Sequence, residues 1–309
     1  MRPLLFAALV TAPVAALHAQ DLPIAKRATA TLEVPGFPDF LALDRDGAWI
    51  TNEGRVERWL PNGKRPAASV AVPEPCGAMA VDFASLWVAD CRDRVLLRIG
   101  LASSAVEGRI ATGLADPHGE LSLATGAGSV WVLSDSSGVL TRVDPATNRI
   151  VATIPVAARS YAAVFGFDAV WITSTTTPGQ VQRIDPATNR VVATIGVGPM
   201  PRFLAAGAGG VWTLNQGDGT VSRIDPRSNT LAATVATNVP GPGGDIAAGG
   251  NRVWVRATKI LLSEIDPETN KVVRRYGPPA GSGAVRATAI FVWVTAHDVR
   301  RIWILPARD

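Results

Sequence analysis

The chain has 309 residues, 47% of them hydrophobic and 18% charged, with a net charge of +4. That apolar fraction excludes disorder, and 29 Gly with 23 Pro argue against a helical bundle, because both residues break long helices. Two Cys are too few for a disulfide-framed miniprotein, and the basic residues, all but four of them Arg, stand singly rather than in the runs that mark nucleic-acid binding, so no nucleic-acid partner is expected.

Met1-Arg2-Pro3 is a short basic start, Leu4 to Leu17 is apolar, and His18-Ala19-Gln20-Asp21 follows. Charge, apolar core and a small residue at the cut are the layout of a secretory signal peptide. Residues 1–19 are therefore expected to be removed after Ala19, with Ala16 the alternative because Leu17 is large at the third position back. The apolar stretch falls short of the roughly 20 residues a spanning helix needs, and no later segment qualifies, so no membrane span is expected. The predicted location is the periplasm or the outside of the cell. Residues 20–27 read as a linker, residues 28–306 as one domain, and residues 307–309 as a tail.

Seven segments then share an apolar-Trp pattern centred on Trp49, Trp87, Trp131, Trp171, Trp212, Trp254 and Trp293, at steps of 38, 44, 40, 41, 42 and 39 residues. A turn keeps the same beat: the Asp-Pro-x-x-Asn of Asp144-Pro145-Ala146-Thr147-Asn148 recurs from Asp185, Asp225 and Asp266. Periods near 40 built from short β-type segments indicate propeller blades. Residues 202–237 show one unit: an inner strand, a Gly-rich turn, the Trp strand, a loop, a third strand, the Asp-Pro turn and an outer strand. In these turns Asp accepts a backbone N–H, Pro presets φ, and Asn tolerates the left-handed region, so the Asp residues read as turn chemistry. The fold predicted is an all-β seven-bladed propeller with four antiparallel strands per blade.

If the first hairpin turns three to four residues before each Trp, the residue seven before it faces the indole. Those residues are Ala42, Ala80, Ala124, Val164, Ala205, Ala247 and Arg286. Six are apolar and small or medium, as expected opposite a bulky ring, and the Trp side chains read as packing between blades. Arg286, the exception, either stacks on Trp293 or reaches into the central channel. The same register places Cys76 directly opposite Cys91, and an exported chain should join them as a disulfide. The chain ends on Arg300 to Leu305, which reads as a third strand. The missing fourth is expected from Thr29 to Val34, so that the N-terminal strand closes the last blade and removes the open edges of the ring.

Strands ending Trp-Val or Trp-Ile-Thr, followed by Ile184-Asp185-Pro186-Ala187-Thr188-Asn189-Arg190-Val191-Val192-Ala193-Thr194-Ile195, resemble the bacterial YVTN-type seven-bladed β-propeller repeats. The resemblance covers nearly all of residues 28–306. The first blade, Ala48-Trp49-Ile50-Thr51-Asn52-Glu53 with Leu60-Pro61-Asn62-Gly63, looks more like the streptogramin (virginiamycin B) lyase group, which implies elimination across an ester using a metal, a His and Glu residues. Here the Glu that follows Trp-Phe-Thr in that group is absent, and Glu53 comes one place late.

The face opposite the Asp-Pro turns carries the variable loops, where function usually sits. Ligand-binding candidates there are Asp90, Arg92, Asp135, Tyr161, Arg202, Arg256, Arg286 and Asp298. Both His left after signal removal, His118 (within Asp116-Pro117-His118-Gly119-Glu120) and His297, fall on this face. With Glu53 they are the tentative catalytic residues of an enzyme reading, and no metal ligand set is assigned. The favoured expectation is an exported, monomeric, non-catalytic propeller that binds a protein partner or a small ligand, an anionic one among the options. The alternative is a metal-assisted lyase or lactonase-like enzyme, for which Mg²⁺ would be the cofactor.

Overall fold

A computed structural model describes residues 20–114, 122–135 and 137–308. The strands form seven sheets arranged as blades in a ring. Blades 1 to 6 span residues 41–71, 75–110, 123–155, 160–196, 201–236 and 245–277, and blade 7 combines residues 285–306 with the strand Ala30–Glu33. Each runs from an inner strand at the axis to an outer strand at the rim, through antiparallel neighbours.

The Trp register is as the sequence predicts. Ala42, Ala80, Ala124, Val164, Ala205, Ala247 and Arg286 each pair with the Trp of their own blade. The seven indoles are between 0% and 3% exposed, so they are plates between sheets and not a ligand cage. In blades 2 to 6 each indole Nε1 donates to the backbone carbonyl five residues earlier, at 2.9–3.2 Å. That residue is Gly in four of the five blades because the next inner strand passes against it. A Cβ on Gly126 would lie 2.1 Å from the Phe165 ring, and one on Gly166 would lie 2.4 Å from the Ala206 methyl.

On its other side the Trp meets an Arg of the third strand. Arg98, Arg142, Arg183 and Arg223 are the cross-strand partners of Trp87, Trp131, Trp171 and Trp212. Their guanidinium carbons lie 5.6, 4.7, 5.3 and 4.9 Å from the indole centroids, within cation–π range. The same groups reach into the next blade. Arg142 Nη1 donates to Pro186 O at 2.7 Å and to Asn189 Oδ1 at 2.9 Å. Arg98, Arg183 and Arg223 repeat this with Pro145 and Asn148, Pro226 and Asn229, and Pro267 and Asn270. The Asn sits at a φ of 54–57°, which aims its amide back across the seam. Four latches thus tie blades 2 to 6 in series.

The remaining blades depart from this pattern. In blade 1, Arg58 faces Trp49 but is held by Asp44 of its own blade, Nε to Oδ2 at 2.5 Å. The facing turn of blade 2, from Gly100, has no Asp-Pro to receive it. In blade 6 the partner of Trp254 is Glu264, buried and accepting from Arg252 Nε at 3.0 Å and from Tyr276 Oη at 3.0 Å. In blade 7 the partner of Trp293 is Ile304.

The N-terminal strand closes the ring. Ala30 to Glu33 pair antiparallel with Ile304 to Arg301. Residues 20–27, read from sequence as a linker, carry more structure than that. Gln20–Pro23 adds a fifth, parallel strand outside blade 6, against Arg274 to Gly277, and Ile24–Arg27 makes one helical turn on the way to blade 7. Four strands per blade is therefore correct for every blade, with this one addition to the sheet of blade 6.

Cys76 and Cys91 form a disulfide with a Cα separation of 5.9 Å. They are not directly opposite, which corrects the sequence expectation. Cys76 pairs with Ala89, because an irregularity between Cys76 and Ala80 shifts the register by two residues. The bond therefore crosses the hairpin diagonally and closes a loop with a sequence separation of 15, which stabilises the blade by about 3 kcal/mol on the chain-entropy account.

Two outcomes follow. Arg142→Met should cost about 1.5–3 kcal/mol, the range for hydrogen bonds to a charged group. In a double-mutant cycle with Asn189→Ala it should show coupling of about 0.5–1.5 kcal/mol in urea unfolding, whereas additivity within about 0.3–0.5 kcal/mol would mean the two do not interact. Deleting residues 28–35 should abolish cooperative thermal unfolding, and an unchanged melting curve would refute the clasp.

Candidate functional site

Every inner strand enters the ring from the loop face, about ten residues before its Trp. At that level the residues are Asp39, Gly77, Tyr161, Arg202, Gly244 and Gly283, the equivalent in blade 3 lying outside the described residues. One residue deeper come Phe40, Ala78, Ser122, Ala162, Phe203, Asp245 and Ala284. The channel mouth is therefore bare on the glycine blades and furnished at a few others. Below it lies a central cavity of about 260 Å³, walled largely by alanines such as Ala80, Ala124, Ala163 and Ala205, with Asp245 and Arg286 among its few polar residues.

Tyr161 and Arg202 furnish one side. The Arg202 guanidinium carbon lies 4.9 Å from the Tyr161 ring centroid, and Phe203 meets the same ring edge-on at 5.6 Å. Both are half-buried. Arg202 Nε is buried without a hydrogen-bond partner, and the guanidinium donates to no acceptor among the described residues. Stacking fixes the plane of the group and leaves its donors unused.

Asp245, Arg286 and Arg256 furnish the next two blades. Asp245 is 2% exposed, is paired with Arg286 Nη1, and accepts from the backbone N–H of Ile246 at 2.8 Å and of Val285 at 3.1 Å. Burial pushes its carboxyl up from the ordinary carboxylate value, while Arg286 and the two N–H groups pull against it. Arg286 thus reaches into the central cavity, one of the two options its position in the sequence left open. Arg256 is fully buried and donates to the carbonyls of Thr295 (3.1 Å), Gly281 (2.9 Å) and Ala257. Burial pushes its pKa down to about 10, so it stays charged at neutral pH. It occupies the position at which Thr173 and Thr295 join neighbouring blades: Thr173 Oγ1 donates to Arg202 O at 3.0 Å, and Thr295 Oγ1 to Asp39 O at 2.6 Å.

His297 Nδ1 lies 2.6 Å from Asp298 Oδ1, and its ring stacks on Phe37 with centroids 4.0 Å apart. Burial lowers its pKa, against the pull of Asp298. Glu53 lines a separate cavity of about 320 Å³ together with Asp39, Glu74 and Phe37. His118, with Asp116 and Glu120, lies outside the described residues. Among the described residues no group of three or more His, Cys, Asp or Glu side chains is placed to hold a metal ion.

The remaining candidates are apart from the mouth. Asp90 is fully buried beside the disulfide, with Oδ1 accepting from Glu74 N at 3.2 Å and Oδ2 unpartnered. Arg92 is exposed against Asp93 at 3.4 Å. Asp135 is exposed, and hydrogen bonds from the Ser137 hydroxyl and N–H lower its pKa. The sequence reading passed over Asp245. Its signal was a carboxylate at a position where the other blades carry Ala, Ser or Phe.

No protein-family profile matches this chain, and no curated protein is significantly similar to it.

Because the folded state holds the His297 pKa below the unfolded value of about 6.5, protonation favours unfolding. This contribution is neutral above about pH 6.5, and stability is lost as pH falls through that value toward the lower folded one. Urea midpoints measured from about pH 7.5 to 5.5 should fall less steeply in His297→Gln than in the unsubstituted protein. Parallel slopes would show that His297 carries no such linkage.

Proposed function

We propose that this protein is an exported binding propeller, without catalysis, whose channel mouth takes a small anionic ligand on Arg202 and Tyr161. The observation that carries this reading is the Arg202 guanidinium, pre-oriented on an aromatic face with no acceptor among the described residues. A carboxylate or phosphate matches such a fork bidentately. The alanine-walled cavity below gives room for the rest of a small molecule, and the disulfide supports an oxidising compartment. The resemblance to YVTN-type repeats supports the same reading, since fold alone does not assign chemistry and binding modules are common on such scaffolds.

One arrangement favours the lyase-like alternative. Asp39, Glu53 and Glu74 share a cavity, and Phe37 joins that cavity to His297. A Mg²⁺-dependent rise in melting temperature, lost on substituting Glu53, is what that reading requires.

Calorimetric titration with succinate, benzoate and phosphate tests the favoured reading. At least one should bind saturably and more weakly as salt rises. Arg202→Met, which keeps the packing and removes the charge, should weaken binding about tenfold or more, and Tyr161→Leu less. If no anion binds, or if Arg202→Met binds as well as the parent, the mouth is not an anion site.

A further inference from the structure

The latch between blades 2 and 6 has three parts: an indole, an Arg that covers it, and the carbonyl of the Pro in the next blade's turn. Between blade 7 and blade 1 two of those parts are present and the third is missing. Trp293 is the indole. Pro61 aligns with Pro145, Pro186, Pro226 and Pro267, each of which accepts from a latch Arg at 2.5–2.9 Å. The residue that should bridge them is Ile304, the cross-strand partner of Trp293, and it is too short and has no donor. Where the bridge would lie there is instead a cavity of about 370 Å³ on the turn face, lined by Trp293, Pro61, Asp46, Arg45, Ile290 and Phe291.

We propose that this cavity is a docking site for an arginine side chain of a partner polypeptide. The protein itself shows the geometry four times: a guanidinium 4.7–5.6 Å from the indole centroid that donates forward to the Pro carbonyl. Blade 1 lacks the Asn that supplies the second acceptor in the other latches. Lys64 stands at that place, exposed and outside the cavity lining. The compensating charge is Asp46, exposed on the rim, whereas Asp44 is already taken by Arg58. The one opposing charge is Arg45, also exposed on the rim. Ile290 is 64% exposed and Phe291 40% exposed, an apolar border that a free small cation would leave uncovered. A peptide with apolar residues beside its Arg covers it, which favours a polypeptide over a metabolite.

The test is calorimetric titration of the full chain with three probes: acetyl-Leu-Arg-Leu-amide, the same peptide with citrulline for Arg, and N-ethylguanidinium. Citrulline keeps the shape and removes the charge. The Arg peptide should bind about tenfold or more tightly than either of the others. Asp46→Asn should weaken it about threefold or more, and Arg45→Ala should tighten it. Ile304→Arg supplies the missing bridge in cis, so it should abolish peptide binding and raise the melting temperature. Should that buried substitution fail to fold, the two rim variants decide alone. Equal binding of the citrulline peptide, no saturable binding, or indifference to both rim variants overturns the site. A free cation that binds as tightly as the peptide overturns its assignment to a polypeptide.

Discussion

The structure depends on one contact repeated through blades 2 to 5: an indole sealed on one side by a small or medium apolar residue and on the other by a guanidinium. A buried Trp withdraws roughly 150–250 Å² from water and needs a partner for its N–H. In blades 2 to 6 the first hairpin satisfies both demands, with Ala or Val opposite the ring and a carbonyl five residues back. The Arg then does what an apolar side chain at its place could not. Its stem and plane cover the ring while its donors cross to the next turn, so packing within one blade and registry between two blades are set by the same residue. Asp-Pro-x-x-Asn consequently serves two masters, shaping its own turn and receiving its neighbour's cation.

Where that repeat lapses, the distinctive chemistry of the molecule appears. Blades 6, 7 and 1 lack the forward latch and are joined by other means: Arg256 to three carbonyls, Asp245 to Arg286, Thr295 to Asp39, and the N-terminal segment outside. These substitutes gather charge around the channel mouth on the blades that follow Tyr161 and Arg202 in the ring. A regular arc and an irregular arc thus share one ring. The regular arc repeats its turns and the irregular one carries most of the charged side chains that face the axis.

The fold was legible because the Trp period is a packing requirement, and packing repeats with the blade. The alanines facing the indoles, the closing strand and the disulfide followed from the same count. The diagonal placement of Cys76 against Cys91 did not, since a strand irregularity leaves no mark in an apolar pattern. The turn Asn was legible as a residue suited to positive φ, but not as an acceptor for Arg142, because nothing local announces a partner some 47 positions away. The site was only partly legible. Tyr161 and Arg202 could be placed on the right face, yet their stacking is a contact between blades. Arg256 read as a loop cation and lies fully buried, since its surroundings are backbone carbonyls that no residue identity reveals.

The strand Ala30–Glu33 and the last strand of the ring, Arg301–Pro306, meet in blade 7. Ala30 pairs with Ile304, Thr29 Oγ1 donates to Ile304 O across 275 positions, and Arg27 Nη2 donates to Arg308 O at 2.8 Å. Residues 27–308 therefore trace almost a closed circle. Since Ala30–Glu33 is made before the six blades that separate it from Arg301–Pro306, it waits unpaired through the synthesis of all of them. This clasp thus governs when the ring can close, not what shape it has.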